Sequence, residues 1–130
     1  MKDGKHVILC IDDDPDVLSF LEIVLEFEGY VFAGAASAEE GLTTFKKVHP
    51  DLLIVDLMME EVDAGTNLAK ELKLLGNTAP VYILSSVGDD LNVMTDLTAL
   101  GLAGVFQKPL SKDTLLTVLR EALAATVPVV

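Results

Sequence analysis

Tryptophan is absent from this chain, cysteine occurs once, histidine twice, and aromatic residues make up 5% of it. Each shortage excludes something. The lone Cys10 cannot pair within the chain, so no disulfide framework holds the fold, and a reducing compartment is expected. Two histidines, His6 and His49, with no CxxC pair, are too sparse for a zinc site. Basic residues are also scarce: 9 Lys plus Arg against 21 Asp plus Glu leave a net charge of -12. That is the wrong sign for gripping phosphate backbones, so direct nucleic-acid binding is not expected. Apolar runs are strand-sized, and the N-terminal MKDGKH leads into five apolar residues before Asp12. Neither a spanning helix nor a signal peptide is readable, and a cytoplasmic location without membrane insertion is expected. The phosphate-cradling loops GxGxxG and GxxxxGK[ST] are missing. An EF-hand loop begun at Asp12 fails, because Val17 stands where glycine is needed and Ile23 where the bidentate glutamate belongs.

What remains is an aliphatic chain of 130 residues, 51% hydrophobic, which is the size of one domain. A single domain over 1–130 is expected, with its core at about 6–124 and an apolar tail at 125–130. Five short apolar runs recur, His6–Ile11, Tyr30–Ala35, Leu52–Val55, Val81–Leu84 and Ala103–Phe106. Three are almost continuously apolar instead of alternating, as expected for parallel strands covered on both faces. The segments between them carry helical spacing: Val17, Leu18, Leu21, Val24 and Leu25; then Leu42 and Phe45; then Leu68, Leu72 and Leu75. A fourth has Leu91, Met94 and Leu97, and a fifth Leu115, Leu116, Leu119 and Leu123. Asp14-Pro15 reads as an N-cap with proline at the first helical position, and Ser37 to Glu40 as a capping box. Gly29, Gly76 and Gly101 fall where helices should stop. Strict strand–helix alternation implies an α/β fold, a doubly wound parallel sheet with right-handed crossovers.

In such sheets the ligand site lies beyond the carboxyl ends of the strands. The residues to collect are therefore Asp12, Asp13 and Asp14 after the first strand, Asp56 after the third, Ser85 and Ser86 after the fourth, and Gln107, Lys108 and Pro109 after the fifth. Carboxylates gathered on one rim repel one another, and a hard divalent cation resolves the conflict. Carboxylate oxygens, a main-chain carbonyl and waters match what Mg²⁺ accepts, and Mg²⁺ commonly leaves a position for a phosphate oxygen. The set reads as a phosphoryl-transfer site, with one carboxylate as nucleophile, Lys108 neutralising phosphoryl oxygens and Ser85 donating a hydrogen bond to one of them. Asp14 and Asp16 are assigned to the helix start and left out.

The stretches VILCIDDDPDVL, DLLIVDLMM, APVYILSS and QKPL resemble the receiver domain of bacterial two-component response regulators, over about 6–124. The resemblance implies a five-stranded flavodoxin-like sheet of order 2-1-3-4-5 in a three-layer sandwich. It implies that Asp12 and Asp13 hold Mg²⁺, for which Mn²⁺ can substitute, together with Asp56 and the backbone carbonyl of Met58. Asp56 matches the phosphoacceptor, Ser85 the switch hydroxyl, and Lys108 the family lysine, followed by Pro109. Met58 and Val87 match positions that tune loss of the phosphoryl group; both are apolar here, and a long-lived phosphoryl-aspartate is expected. Where the family often carries an aromatic switch residue this chain has Val105, with Phe106 next to it. The loop DLMMEEVDAGTN departs from the family pattern, with Glu60 in place of a proline and one residue more before Gly65.

By this resemblance the chain is a stand-alone phosphoacceptor switch and not an enzyme. It takes its phosphoryl group from a sensor histidine kinase or a histidine phosphotransfer protein. Its output is a binding event, with the effector on the face formed by the fourth helix, fifth strand and fifth helix. Two alternatives share these residues. A phosphohydrolase of the haloacid-dehalogenase type would use Asp12-x-Asp14, Ser85, Lys108 and Asp89-Asp90, but that acid pair precedes the lysine and Pro15 stands where Thr or Val is usual. A pseudo-receiver would bind partners without phosphorylation, and the intact set Asp12, Asp13, Asp56, Ser85 and Lys108 argues against it.

Overall fold

The computed structural model describes residues 4–56, 64–86, 103–108 and 110–124. Expectations placed on Met58, Glu60, Glu61, Val87, Asp89, Asp90, Gly101, Pro109, the fourth helical segment and the tail 125–130 lie outside the described residues. The elements run β1 (Val7–Ile11), α1 (Pro15–Phe27), β2 (Val31–Ala35), α2 (Ala38–Val48), β3 (Leu52–Asp56), α3 (Ala64–Leu74), β4 (Val81–Ser85), β5 (Gly104–Gln107) and a C-terminal helix (Lys112–Ala124). All strand pairs are parallel and the sheet order is β2-β1-β3-β4-β5, as the resemblance implies. β1 and β3 are buried along their whole length, which is why neither alternates in sequence.

Alternate residues of these strands supply two cores. Ile8, Cys10, Leu52, Ile54, Leu84 and Phe106 face α1 and the C-terminal helix. Leu9, Ile11, Leu53, Val55 and Ile83 face α2 and α3. The C-terminal helix buries Leu115, Leu116, Leu119 and Leu123, all the positions its spacing nominates. Leu119 is fully buried, so Leu119→Ala is expected to lower unfolding free energy by about 2–5 kcal/mol, read as a lower midpoint in urea. An undiminished midpoint would mean that this helix is not part of the cooperative core.

The helix starts are as the sequence reads them. Asp14 Oδ1 accepts from the Asp16 N–H at 2.9 Å, and Ser37 Oγ accepts from the Glu40 N–H at 3.1 Å. Gly29 and Gly76 follow α1 and α3 at φ of 90° and 82°, the left-handed region that glycine enters without strain. Two positions differ. Leu75 lies past the end of α3 and is 48% exposed, since the helix stops one residue before its apolar spacing does. The end of α2 is made by His49, a non-glycine residue at φ 47°, whose N–H donates to the Phe45 carbonyl at 3.2 Å.

Candidate functional site

The acidic stretch after β1 divides by backbone geometry. The Asp12 N–H donates to the Ala35 carbonyl at 3.0 Å, continuing the β1–β2 ladder by one residue and leaving Asp12 fully buried. Its Oδ1 accepts from the Asp14 N–H at 2.9 Å, closing a short turn that swings Asp13 to the surface and sets Asp14 as the cap of α1. Asp56 ends β3 and is 3% exposed; Ser85 ends β4 and is 5% exposed. The Lys108 N–H donates to the Ser85 carbonyl at 2.7 Å, which carries the lysine past the end of β5 toward the acids.

Because β1 and β3 are neighbours, Asp12 and Asp56 stand side by side although far apart in sequence. One oxygen each from Asp12, Asp13 and Asp56 lie within 4.8 Å of one another, a spacing that one cation can bridge. The Lys108 ammonium lies 3.0 Å from Asp12 Oδ2 and 3.5 Å from Asp56 Oδ1. Asp12 Oδ2 is buried and has this ion contact without a directed hydrogen bond, so it still calls for positive charge. A donor set of three carboxylates with one such oxygen fits a hard divalent ion. At Lys108 burial disfavours the charged form, but the close contact and charge of Asp12, and then those of Asp56, outweigh it and hold the ammonium above the ordinary lysine value. Cys10, two residues before Asp12 on β1, is pushed up by burial first and by the Asp12 charge second, so its thiol stays protonated. The Ser85 hydroxyl reaches the Ser86 carbonyl at 3.5 Å, a long contact.

All five described residues nominated for the chemistry, Asp12, Asp13, Asp56, Ser85 and Lys108, are thus at the carboxyl end of the sheet. Val105 and Phe106 are not equivalent. Val105 is 47% exposed, whereas Phe106 is buried with its ring 5.3 Å from that of Tyr82. Sequence reading did not find the Ala35 carbonyl that anchors Asp12, since a backbone acceptor leaves no side-chain signal.

A family model for the response regulator receiver domain matches residues 8–120. The chain belongs to this family. It is a receiver domain of the kind found in two-component response regulators. Among curated relatives, it is 36% identical over 124 residues to the transcriptional regulatory protein GlrR of Escherichia coli, covering 93% of this chain and 27% of the relative. It is 35% identical over 119 residues to the probable transcriptional regulator ycf27 of Porphyridium aerugineum, covering 92% of this chain and 48% of the relative. The receiver domain therefore spans about a quarter to a half of the length of the curated relatives it matches. Among solved structures, a response regulator receiver domain protein of Clostridium thermocellum superposes with a TM-score of 0.83 at 27% identity, over 93% of this chain and 96% of that one. A CheY-like receiver domain protein of Methanospirillum hungatei gives a TM-score of 0.84 at 27% identity, over 94% and 96%. Among the described residues no helix is long and apolar enough to cross a membrane.

Proposed function

We propose that this receiver domain accepts a phosphoryl group on Asp56 from a sensor histidine kinase or a histidine phosphotransfer protein, in the cytoplasm, and passes the signal on through a protein effector. The observation that carries this reading is the convergence of Asp12, Asp13 and Asp56 oxygens within 4.8 Å, with the Lys108 ammonium 3.5 Å from Asp56. Asp12, Asp13 and Asp56, with the Met58 carbonyl, would hold Mg²⁺ or Mn²⁺, which when bound neutralises charge on the phosphoryl oxygens. An Asp56 carboxylate oxygen forms the new bond to phosphorus as the bond to the donor nitrogen breaks, and the donor imidazole keeps that electron pair. Lys108 pairs with the phosphoryl oxygens, and the Ser85 hydroxyl donates a hydrogen bond to one of them. The strand ends that follow Ser85 and Lys108 then settle in a second packing that an effector distinguishes, through the face built from the fourth helical segment, β5 and the C-terminal helix. Exposed Val105 on β5 belongs to that face, while buried Phe106 anchors the strand. The domain acts as a switch and does not turn over a substrate.

Incubation with acetyl phosphate and Mg²⁺ tests the reading. Intact mass should show one added phosphoryl group, and none after chelation. An unlabelled chain would support the pseudo-receiver alternative, and turnover of generic phosphate esters the phosphohydrolase one.

Two further outcomes follow from the same assignment. Asp13 is exposed, so Asp13→Asn is expected to keep its urea midpoint and weaken Mg²⁺ binding by roughly tenfold or more in calorimetry, about 1.4 kcal/mol. Equal affinity would remove Asp13 from the ligand set. Met58 and Val87, at the positions that by resemblance tune loss of the phosphoryl group, are apolar and offer no polar group to an attacking water, so the phosphoryl-aspartate should be long-lived. Met58→Asn with Val87→Glu is expected to shorten its half-life in Mg²⁺ buffer, and no change would refute the tuning role.

A further inference from the structure

The pole of the sheet opposite the acid cluster carries a feature that phosphoryl transfer does not use. Four of the nine lysine and arginine residues, Lys46, Lys47, Lys70 and Lys73, lie on the adjacent helices α2 and α3 of a chain whose net charge is -12. His49 adds an imidazole at the end of α2. Within 41–51 and 64–80 the only acids are Asp51 and Glu71, and Asp51 is engaged as acceptor of the Val7 N–H at 2.7 Å. A lysine in the last turn of any one helix satisfies its negative end. That does not account for the grouping, because α1 and the C-terminal helix have no basic residue in their last turns.

A pocket of about 390 Å³ opens between the lysine-bearing ends of α2 and α3. Phe45, Pro50 and Leu75 give it apolar walls, Lys46 contributes a charged side chain and His49 an imidazole. The volume is within the range of sites that take a ligand or a large side chain. Both rims are fixed in advance. His49 is held in the left-handed conformation by its bond to Phe45, and Asn77 brackets Ala79 with one donated and one accepted bond, each 3.0 Å. Beside the pocket, Leu74 is 86% exposed and Leu75 48% exposed, two adjacent leucines on an otherwise charged helix end.

A pocket with apolar walls and Lys46 on its lining, at a pole where α2 and α3 carry three more lysines, is complementary on this acidic domain to an acidic chain that offers one apolar side chain. We infer that this pole, at the ends of α2 and α3, docks an acidic polypeptide segment of a partner protein, with an apolar residue of that segment seated in the pocket. The lysines steer and orient the segment, and the pocket supplies the specific contact. Duplex nucleic acid is disfavoured by the charge of the rest of the domain, and it has no apolar side chain to fill the pocket.

The test is an amide-shift titration of the full chain with a synthetic peptide of alternating glutamate and leucine. Parallel titrations use the matching lysine–leucine peptide, a short DNA duplex and phosphatidylglycerol vesicles. The glutamate–leucine peptide is expected to shift resonances at 45–50 and 73–79 and to bind more weakly as salt rises. Lys46→Glu with Lys73→Glu, both at exposed positions, should weaken it at least tenfold, and Leu75→Ser should weaken it without altering the salt dependence. The Asp56→Asn chain should bind it as the parent does, which separates this surface from the phosphoacceptor. Unchanged affinity in the charge-reversed variant, shifts centred on 104–107 and 112–124, or tighter binding of the lysine–leucine peptide, the duplex or the vesicles overturns the proposal.

Discussion

Asp56→Asn is expected to take up no phosphoryl group from acetyl phosphate and Mg²⁺ under conditions where the parent chain takes up one. The substitution is nearly isosteric at a position that is 3% exposed, so the end of β3 keeps its shape. What changes is chemical. The amide has no anionic oxygen to attack phosphorus, and one of the three carboxylates that gather within 4.8 Å is gone. The effect on labelling is total, whereas the effect on stability is small, because relief of repulsion among the acids offsets the loss of one partner of Lys108. Intact mass reads the first and urea unfolding the second. Persistent labelling of the variant would mean that another carboxylate of the rim, Asp12 or Asp13, accepts the group.

Lys108→Met should produce the largest cation-dependent change in stability. The methionine keeps the aliphatic stem and removes the ammonium, the charged partner 3.0 Å from Asp12 Oδ2. Asp12 is fully buried, and that oxygen has no directed hydrogen bond to fall back on. Removing one partner of a buried pair costs about 3–5 kcal/mol, and because the Lys108 side chain is 22% exposed the loss expected here is nearer about 2 kcal/mol. In chelator the urea midpoint should fall accordingly. With saturating Mg²⁺ most of the difference should vanish, since a divalent ion held by Asp12, Asp13 and Asp56 supplies the missing charge. A midpoint equal to that of the parent in chelator would show that Asp12 does not rely on Lys108. An equal deficit with and without Mg²⁺ would show that the ion and the lysine do not serve the same acids.

Much of the receiver fold is legible along the chain because its signals are local. The continuous apolarity of VILCI and LLIV reports burial on both faces, and the leucine spacing of 115–123 reports one buried helix face. Asp14 and Ser37 report helix starts, since a cap acts within three residues of itself. The chemistry of the site was equally local in kind, as acids, a hydroxyl and a lysine ended successive apolar runs. The end of α2 was not legible, because no residue type announces a histidine in the left-handed region. Nor was the inequality of Val105 and Phe106, which depends on which face of a four-residue strand is covered. Leu75 was nominated for the core by its spacing, and the stop of α3 at Leu74 put it half outside.

By itself, then, the sequence determined which of the described segments are strands and helices, which residues stand at strand ends, and that the acids among them would repel one another if gathered on one rim. Only the tertiary structure decided which ends meet. The order β2-β1-β3-β4-β5 sets Asp12 beside Asp56 and brings Lys108 to both, buries Asp12 while leaving Asp13 exposed, and joins the lysines of α2 and α3 into one basic pole. The physical reason is range. Periodicity, caps and turns act over a few neighbouring residues, whereas neighbourhood in the sheet is settled by the packing of whole strands and helices, and no short stretch of sequence records it.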